Sequence, residues 1–228
     1  MSSVVVAIVS PGTEATVTGA ATALAEVLGA SVRREFVDPD AAVEVSIARF
    51  VALLDEPDAV AAAVSFASSS RELMWGVLAG SRKPVVVMPD NRAKPPAAVA
   101  RALVPLEATT TSAAALEETL NALAGAGVDI VVLHVLDPMR APAYWDHPGH
   151  AAEAWVTEFL ARFCRHRPDV RMTVRTGAAE ESIPDVARAE RVDLVVLVWS
   201  QRLDPGRARI VRRTLGSVGV PVLLVPAT

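Results

Sequence analysis

The sequence predicts an α/β fold: two doubly wound parallel-sheet domains in tandem, the first of them trimmed. Three observations carry this. Short Val/Leu/Ile runs alternate with Ala-rich helical stretches along the 228 residues. Several of those runs are apolar at successive positions, as strands buried on both faces of a parallel sheet must be. The two halves of the chain also begin and end alike.

The strands come first. Val4 to Val9, Ala59 to Val64 and Pro84 to Met88 are predicted in the first half. Ala102 to Leu106, Asp129 to Leu136, Val170 to Arg175, Val192 to Trp199 and Val220 to Pro226 follow in the second. Helices fit between them. Thr13 to Leu28 stops at Gly29, and Thr111 to Ala124 stops at Gly125 and Gly127, because glycine accepts the left-handed turn that ends a helix. Gly149 to Arg165 repeats Ala151, Ala154, Trp155, Phe159 and Phe163 at helical spacing. Glu180 to Glu190 and Asp204 to Val218 complete the set. Strand and helix in strict alternation imply right-handed crossovers.

The repeat sets the domain organisation. Val4-Val-Val-Ala-Ile-Val-Ser-Pro leads into an Ala-rich helix closed by glycine, and so does Ala102-Leu-Val-Pro-Leu-Glu107. Lys83-Pro-Val-Val-Val-Met-Pro89 matches Val220-Pro-Val-Leu-Leu-Val-Pro226. Between them Asp90-Asn-Arg-Ala-Lys-Pro-Pro96 is polar and Pro-rich, as a boundary should be. The domains are therefore expected at 1–92 and 98–228, the first short of one strand–helix unit. Joining through their last strands would make the chain a pseudo-dimer. One continuous α/β domain with similar strands is the alternative.

Composition excludes several classes. A net charge of −4 argues against a duplex nucleic-acid binder. The single cysteine, Cys164, excludes an intrachain disulfide and a cysteine-rich zinc site. No apolar run approaches the roughly 20 residues of a membrane-spanning helix. Met1-Ser2-Ser3-Val4 lacks the basic flank of a secretory signal. A soluble cytoplasmic protein is expected, with no membrane partner.

Residues 101–228 resemble the universal stress protein domain. The resemblance is carried by Val104-Pro-Leu-Glu107, by Val131-Val-Leu-His-Val-Leu-Asp137, by Arg175-Thr-Gly177 to Ala187, by Val192-Asp-Leu-Val-Val-Leu-Val198, and by Arg212-Arg-Thr-Leu to Pro226. Residues 1–89 resemble a trimmed, more diverged copy. The resemblance implies a Rossmann-like fold of the adenine nucleotide alpha hydrolase-like type. It implies a stress-response or regulatory role and no catalysis.

Nucleotide-binding members of that family carry G-x-x-G-x9-G-[ST] after the fourth strand, where glycines let backbone N–H groups approach phosphate. Here the loop reads Trp199-Ser-Gln-Arg-Leu-Asp-Pro-Gly206-Arg-Ala-Arg-Ile. Trp199 stands at the first glycine. One alignment uses Gly206 and Gly216-Ser217. A better fit works back from Pro221 and puts Ala208-Arg209 at the final Gly-Ser. Asp204-Pro205 reads as a helix start, whose carboxylate would repel phosphate. Arg202 and Arg207 could reach an anion, while Arg209, Arg212 and Arg213 could equally solvate a helix face or pair with acids. The segment Trp145-Asp146-His147-Pro-Gly-His150 is similar to an actinobacterial-looking subgroup sharing the Trp-Ser-Gln loop.

The ligand crevice is expected at the carboxyl ends of the second half's strands. Glu107, Val135 and Asp137 would border a base and sugar, and Ser200, Gln201, Arg202, Gly206 and Arg207 a phosphate. Three readings stand: a non-enzymatic module that senses a small ligand or binds a protein partner, an ATP or AMP binder or slow hydrolase using arginine, and an interaction module whose crevice Trp199 fills. No cofactor is certain; ATP or another adenine nucleotide is the candidate. In the first half, Ser65-Phe-Ala-Ser-Ser-Ser-Arg71 could bind an anion. Asp146, His147 and His150 are too few for a tetrahedral zinc site without further ligands. His134 reads as a hydrogen-bonded core histidine. Beyond the internal pairing, a homodimer is an open state.

Overall fold

The computed structural model describes residues 3–89, 95–107, 109–136, 156–159, 161–162, 170–203 and 208–227. Its strands are β1 (Val4–Val9), β2 (Ser31–Phe36), β3 (Ala59–Ser65), β4 (Val85–Met88), β5 (Arg101–Pro105), β6 (Asp129–Leu136), β7 (Arg171–Thr176), β8 (Leu194–Trp199) and β9 (Val222–Pro226). The helices are α1 (Glu14–Leu28), α2 (Val43–Leu54), α3 (Arg71–Gly80), α4 (Thr110–Gly125), α5 (Ala179–Ala189) and α6 (Arg209–Ser217). Residues 156–159 and 161–162 are also helical, within the predicted 149–165 helix. Most of that helix lies outside the described residues.

All nine strands join in one sheet, ordered β2-β1-β3-β4-β9-β8-β5-β6-β7. Every neighbouring pair is parallel except β4 and β9, which run antiparallel with Val85 opposite Leu224 and Val87 opposite Val222. Outward from this seam the two sides follow the same order: last strand, the one before it, first strand, second strand. The side containing β9 carries one more edge strand, β7.

The successive apolar residues have the expected cause. Val5, Ala7 and Val9 enter one core while Val6 and Ile8 enter the other. The first core lies under α1 and α4, which touch across the seam. The second lies under α2, α3, α5 and α6. Both cores draw on both halves, so apolar packing runs across the seam.

The predicted stops at Gly29 and Gly127 hold, while Gly125 is the last residue of α4. Gly29 takes φ 60°, and Ala30 N–H donates to Ala25 O at 2.9 Å. Gly127 takes φ 75° after α4, and Val128 N–H returns to Leu123 O at 3.0 Å. At the other end of α4, the Thr109 hydroxyl accepts from Ser112 N–H at 3.2 Å.

Two elements were not expected. β2 reads Ser-Val-Arg-Arg-Glu-Phe because it is an edge strand, open to solvent and guarded by charge. α2 hides in a Val/Ile-rich segment that looks like a strand; only Ser46, Phe50 and Leu54, one helical face, are buried. The last helix is described from Arg209 to Ser217, with buried Ala208 before it and Arg209 anchored by an ion pair. Asp204 and Pro205, where the sequence predicts its start, lie outside the described residues.

Candidate functional site

The chain leaves β5 for β6 on one side, while β8 pairs with β5 on the other. This is the switch point, where loops part and leave a crevice at the strands' carboxyl ends. Leu106 is buried beneath it, and Glu107 is exposed. The Glu107 carbonyl accepts from Thr109 N–H at 2.7 Å, which turns the chain toward α4. Val135 is half-buried near the end of β6. His134 is half-buried too, with Nδ1 2.9 Å from Leu106 O and its ring 4.9 Å from that of Phe159. Asp137 lies outside the described residues.

On the β8 side the chain does something a phosphate loop does not. Trp199 is 5% exposed and enters the core beside Leu197. Its ring lies 6.3 Å from that of Trp75 on α3, across the seam. Ser200 is exposed. Gln201 adopts φ 57°, a left-handed conformation that costs a side-chain-bearing residue roughly 1–2 kcal/mol. That conformation lets its amide nitrogen reach back to the first half, donating to Leu78 O at 3.3 Å and to Ser81 O. Carbonyls at the end of α3 are thereby satisfied. Arg202 follows, exposed. Gly206 and Arg207 lie outside the described residues. The structure thus brings Glu107, Val135, Ser200, Gln201 and Arg202 to the carboxyl edge of one set of strands. Gln201 is turned toward the first half by its hydrogen bonds.

α6 opens the far wall. Among the described residues no side chain caps its N-terminus. Arg209, its first residue, pairs with Glu180 of α5 at 2.9 Å. Ala208-Arg209 at a helix start agrees with the alignment that works back from Pro221. Gly216-Ser217, used in the other alignment, ends the same helix.

In the first half the serine loop is closed on itself. The Ser65 hydroxyl accepts from Ala67 N–H at 3.1 Å, and Ser68–Ser70 form a short 3-10 turn. After β1, the Thr13 hydroxyl donates to Ser10 O at 2.8 Å. Phe66 leaves β3 where Trp199 leaves β8, and it meets Trp75 edge-on at 6.4 Å. Arg71 lies 4.6 Å from the Phe66 centroid, and Arg212 lies 4.8 Å from that of Trp75. The contact of Arg212 with Trp75 was not expected from sequence. The signal was present, because both stand the same step ahead of Pro84 and Pro221 in the repeated segment.

The strongest electrostatic feature is at the opposite end of the sheet. Asp129 accepts from Arg171 at 2.9 Å and from Arg101 at 2.7 Å. The hydrogen bond from Arg171, and then that from Arg101, outweighs partial burial and holds the Asp129 carboxyl below its ordinary value. This network ties the starts of β5, β6 and β7 together and is remote from the crevice.

Among the described residues no group of His, Cys, Asp and Glu is placed to hold a metal ion. Asp146, His147, His150 and Cys164 lie outside them. No described helix is long and apolar enough to cross a membrane.

The profile of the Universal stress protein family matches residues 99–226. No curated protein matches the chain. Among solved structures, a universal stress protein from Archaeoglobus fulgidus superposes with a TM-score of 0.72 at 12% identity, covering 99% of this chain and 98% of that one. A protein of unknown function from Pseudomonas aeruginosa gives a TM-score of 0.58 at 16% identity, covering 96% and 81%. At such identities the likeness is one of fold.

Proposed function

Because the chain belongs to the universal stress protein family, we propose that it acts as a non-enzymatic stress-response or regulatory module that does not bind ATP in the family's usual way. One observation carries this reading. The segment after β8 is engaged with the first half through the Trp199–Trp75 contact and the Gln201 hydrogen bonds. Backbone N–H groups can cradle phosphate only where the loop is free to wrap it.

The reading has two halves in tandem, 1–92 and 98–228, paired through β4 and β9. The shared strand order on each side of the seam supports it. The first half, one strand short, serves mainly as a structural partner. The Trp-Ser-Gln loop supports actinobacterial-like character, and a cytoplasmic location goes with the module. Titration with ATP and AMP tests the reading. We expect no heat and no thermal shift at millimolar nucleotide; saturable binding at micromolar nucleotide would overturn it.

A second reading has one observation in its favour. Among the described residues no side chain caps the N-terminus of α6, and Arg202 is exposed upstream of it. On this reading the chain takes ATP, AMP or another adenine nucleotide, and hydrolysis is slow. Glu107, Val135 and Asp137 would border the base and sugar; Ser200, Gln201, Arg202, Gly206 and Arg207 would border the phosphate. A mass spectrum of small molecules released on denaturation decides it, since an adenine nucleotide must be found.

A further inference from the structure

α6 reads Arg209-Ile-Val-Arg-Arg-Thr-Leu-Gly-Ser217. Its arginines occupy the first, fourth and fifth of nine positions, and it carries no acid. Arg209 sits in the first turn, the wrong end for a cation, because the helix macrodipole is positive there. Arg209 also stands three and four residues before Arg212 and Arg213, the spacing at which like charges on a helix repel. Glu180 relieves only Arg209. Arg213 is exposed and makes no hydrogen bond or ion pair among the described residues. A fold indifferent to these charges gains nothing from placing them so.

The aromatic residues of the seam extend this face into the first half. Arg71, Phe66, Trp75 and Arg212 follow one another at centroid separations of 4.6, 6.4 and 4.8 Å. The Arg212 guanidinium, lying over the Trp75 ring, keeps its in-plane N–H donors at the edge, oriented for a carboxylate. Its side chain is already ordered, so less entropy is lost on binding.

We propose that this face, built jointly by the two halves, docks an Asp/Glu-rich segment of a partner protein. Charge complementarity selects that occupant, because the face is cationic on a chain of net charge −4. Single-stranded nucleic acid fits less well. It needs open aromatic faces for base stacking, and Trp75 is already engaged by Phe66, Trp199 and Arg212. The proposal rests on the reading of the chain as a binding module, and nucleotide titration tests that reading separately.

The experiment uses the full chain and a fluorescently labelled oligoglutamate peptide, followed by anisotropy at low salt. Saturable binding that weakens with salt is expected. Arg212→Ala should weaken it about two- to five-fold, the value of one charge pair. Arg213→Glu should abolish it without lowering the melting temperature, which covers the case in which Arg212→Ala loosens Trp75. Arg188→Ala, on α5 and paired with Asp185, should bind as the parent does. No saturable binding, unchanged affinity in Arg213→Glu, equal weakening by Arg188→Ala, or tighter binding of oligothymidylate would each overturn the proposal. ATP binding alone would strike the reading above and leave this one standing.

Discussion

Arg212 holds its guanidinium 4.8 Å from the centroid of the Trp75 ring. The two residues occupy equivalent steps ahead of Pro84 and Pro221, so corresponding positions of the repeat meet at the seam. Trp75 also bears on Trp199 and Phe66. Trp75→Ala should therefore destabilise the chain by about 2–4 kcal/mol, somewhat under the cost for a fully buried tryptophan. Arg212→Ala should cost about 0.5–1 kcal/mol. Urea denaturation measures both, and an Arg212→Ala effect equal to that of Trp75→Ala would contradict this ranking.

Gln201 separates two opposed contributions. Its left-handed backbone is unfavourable, and its hydrogen bonds to Leu78 O and Ser81 O are favourable. Gln201→Ala keeps the strain and loses the bonds. Gln201→Gly loses both. Gln201→Gly should therefore be the more stable by about 1 kcal/mol, and both should fall below the parent. Thermal melts of the three proteins give the order.

Gly76 has no room for a side chain. A Cβ there would lie 2.3 Å from Ile47 Cδ1 and 2.6 Å from its Cγ1, because α2 and α3 approach closely. Gly76→Ala should cost about 1–3 kcal/mol. Adding Ile47→Ala should recover part of that loss, so a double-mutant cycle should show clear coupling.

Asp129 gives the pH dependence its sign. Its carboxyl is held below the ordinary value of 3.8, first by the hydrogen bond from Arg171. Its contribution is therefore present above that value and is lost as pH falls through the lower folded value. Asp129→Asn should flatten the acid limb of a stability-against-pH curve, with little change in slope above pH ~5. The side chain is 34% exposed, so the effect is screened and modest. An unchanged acid limb would show that the network contributes nothing.

The sequence spoke most clearly where one constraint acts alone. Val5 to Val9 must face apolar cores on both sides, so the run is unbroken and β1 is legible. β2 answers to solvent and ion pairs: Arg33 with Glu56 at 2.8 Å, and Glu35 with Arg49 at 2.6 Å. Its residues look like loop. The anchor of α6, the ion pair of Arg209 with Glu180, was not legible either, because the partner lies on another helix. Gln201 was legible as a switch-point residue from its place after β8. Its hydrogen bonds to residues far away in the chain were not, because they depend on how the halves meet.

Strand pairing has a valence, and in this chain it is partly spent. β4 and β9 satisfy one another, so neither offers a free backbone edge to a second molecule. The sheet's remaining rims are β2 and β7, carrying Arg33, Arg34 and Glu35 on one and Arg171 and Arg175 on the other. Such charged rims resist accretion of further strands. Strand addition is therefore disfavoured at each open edge of the described sheet, and the two halves spend their most apolar edges on one another.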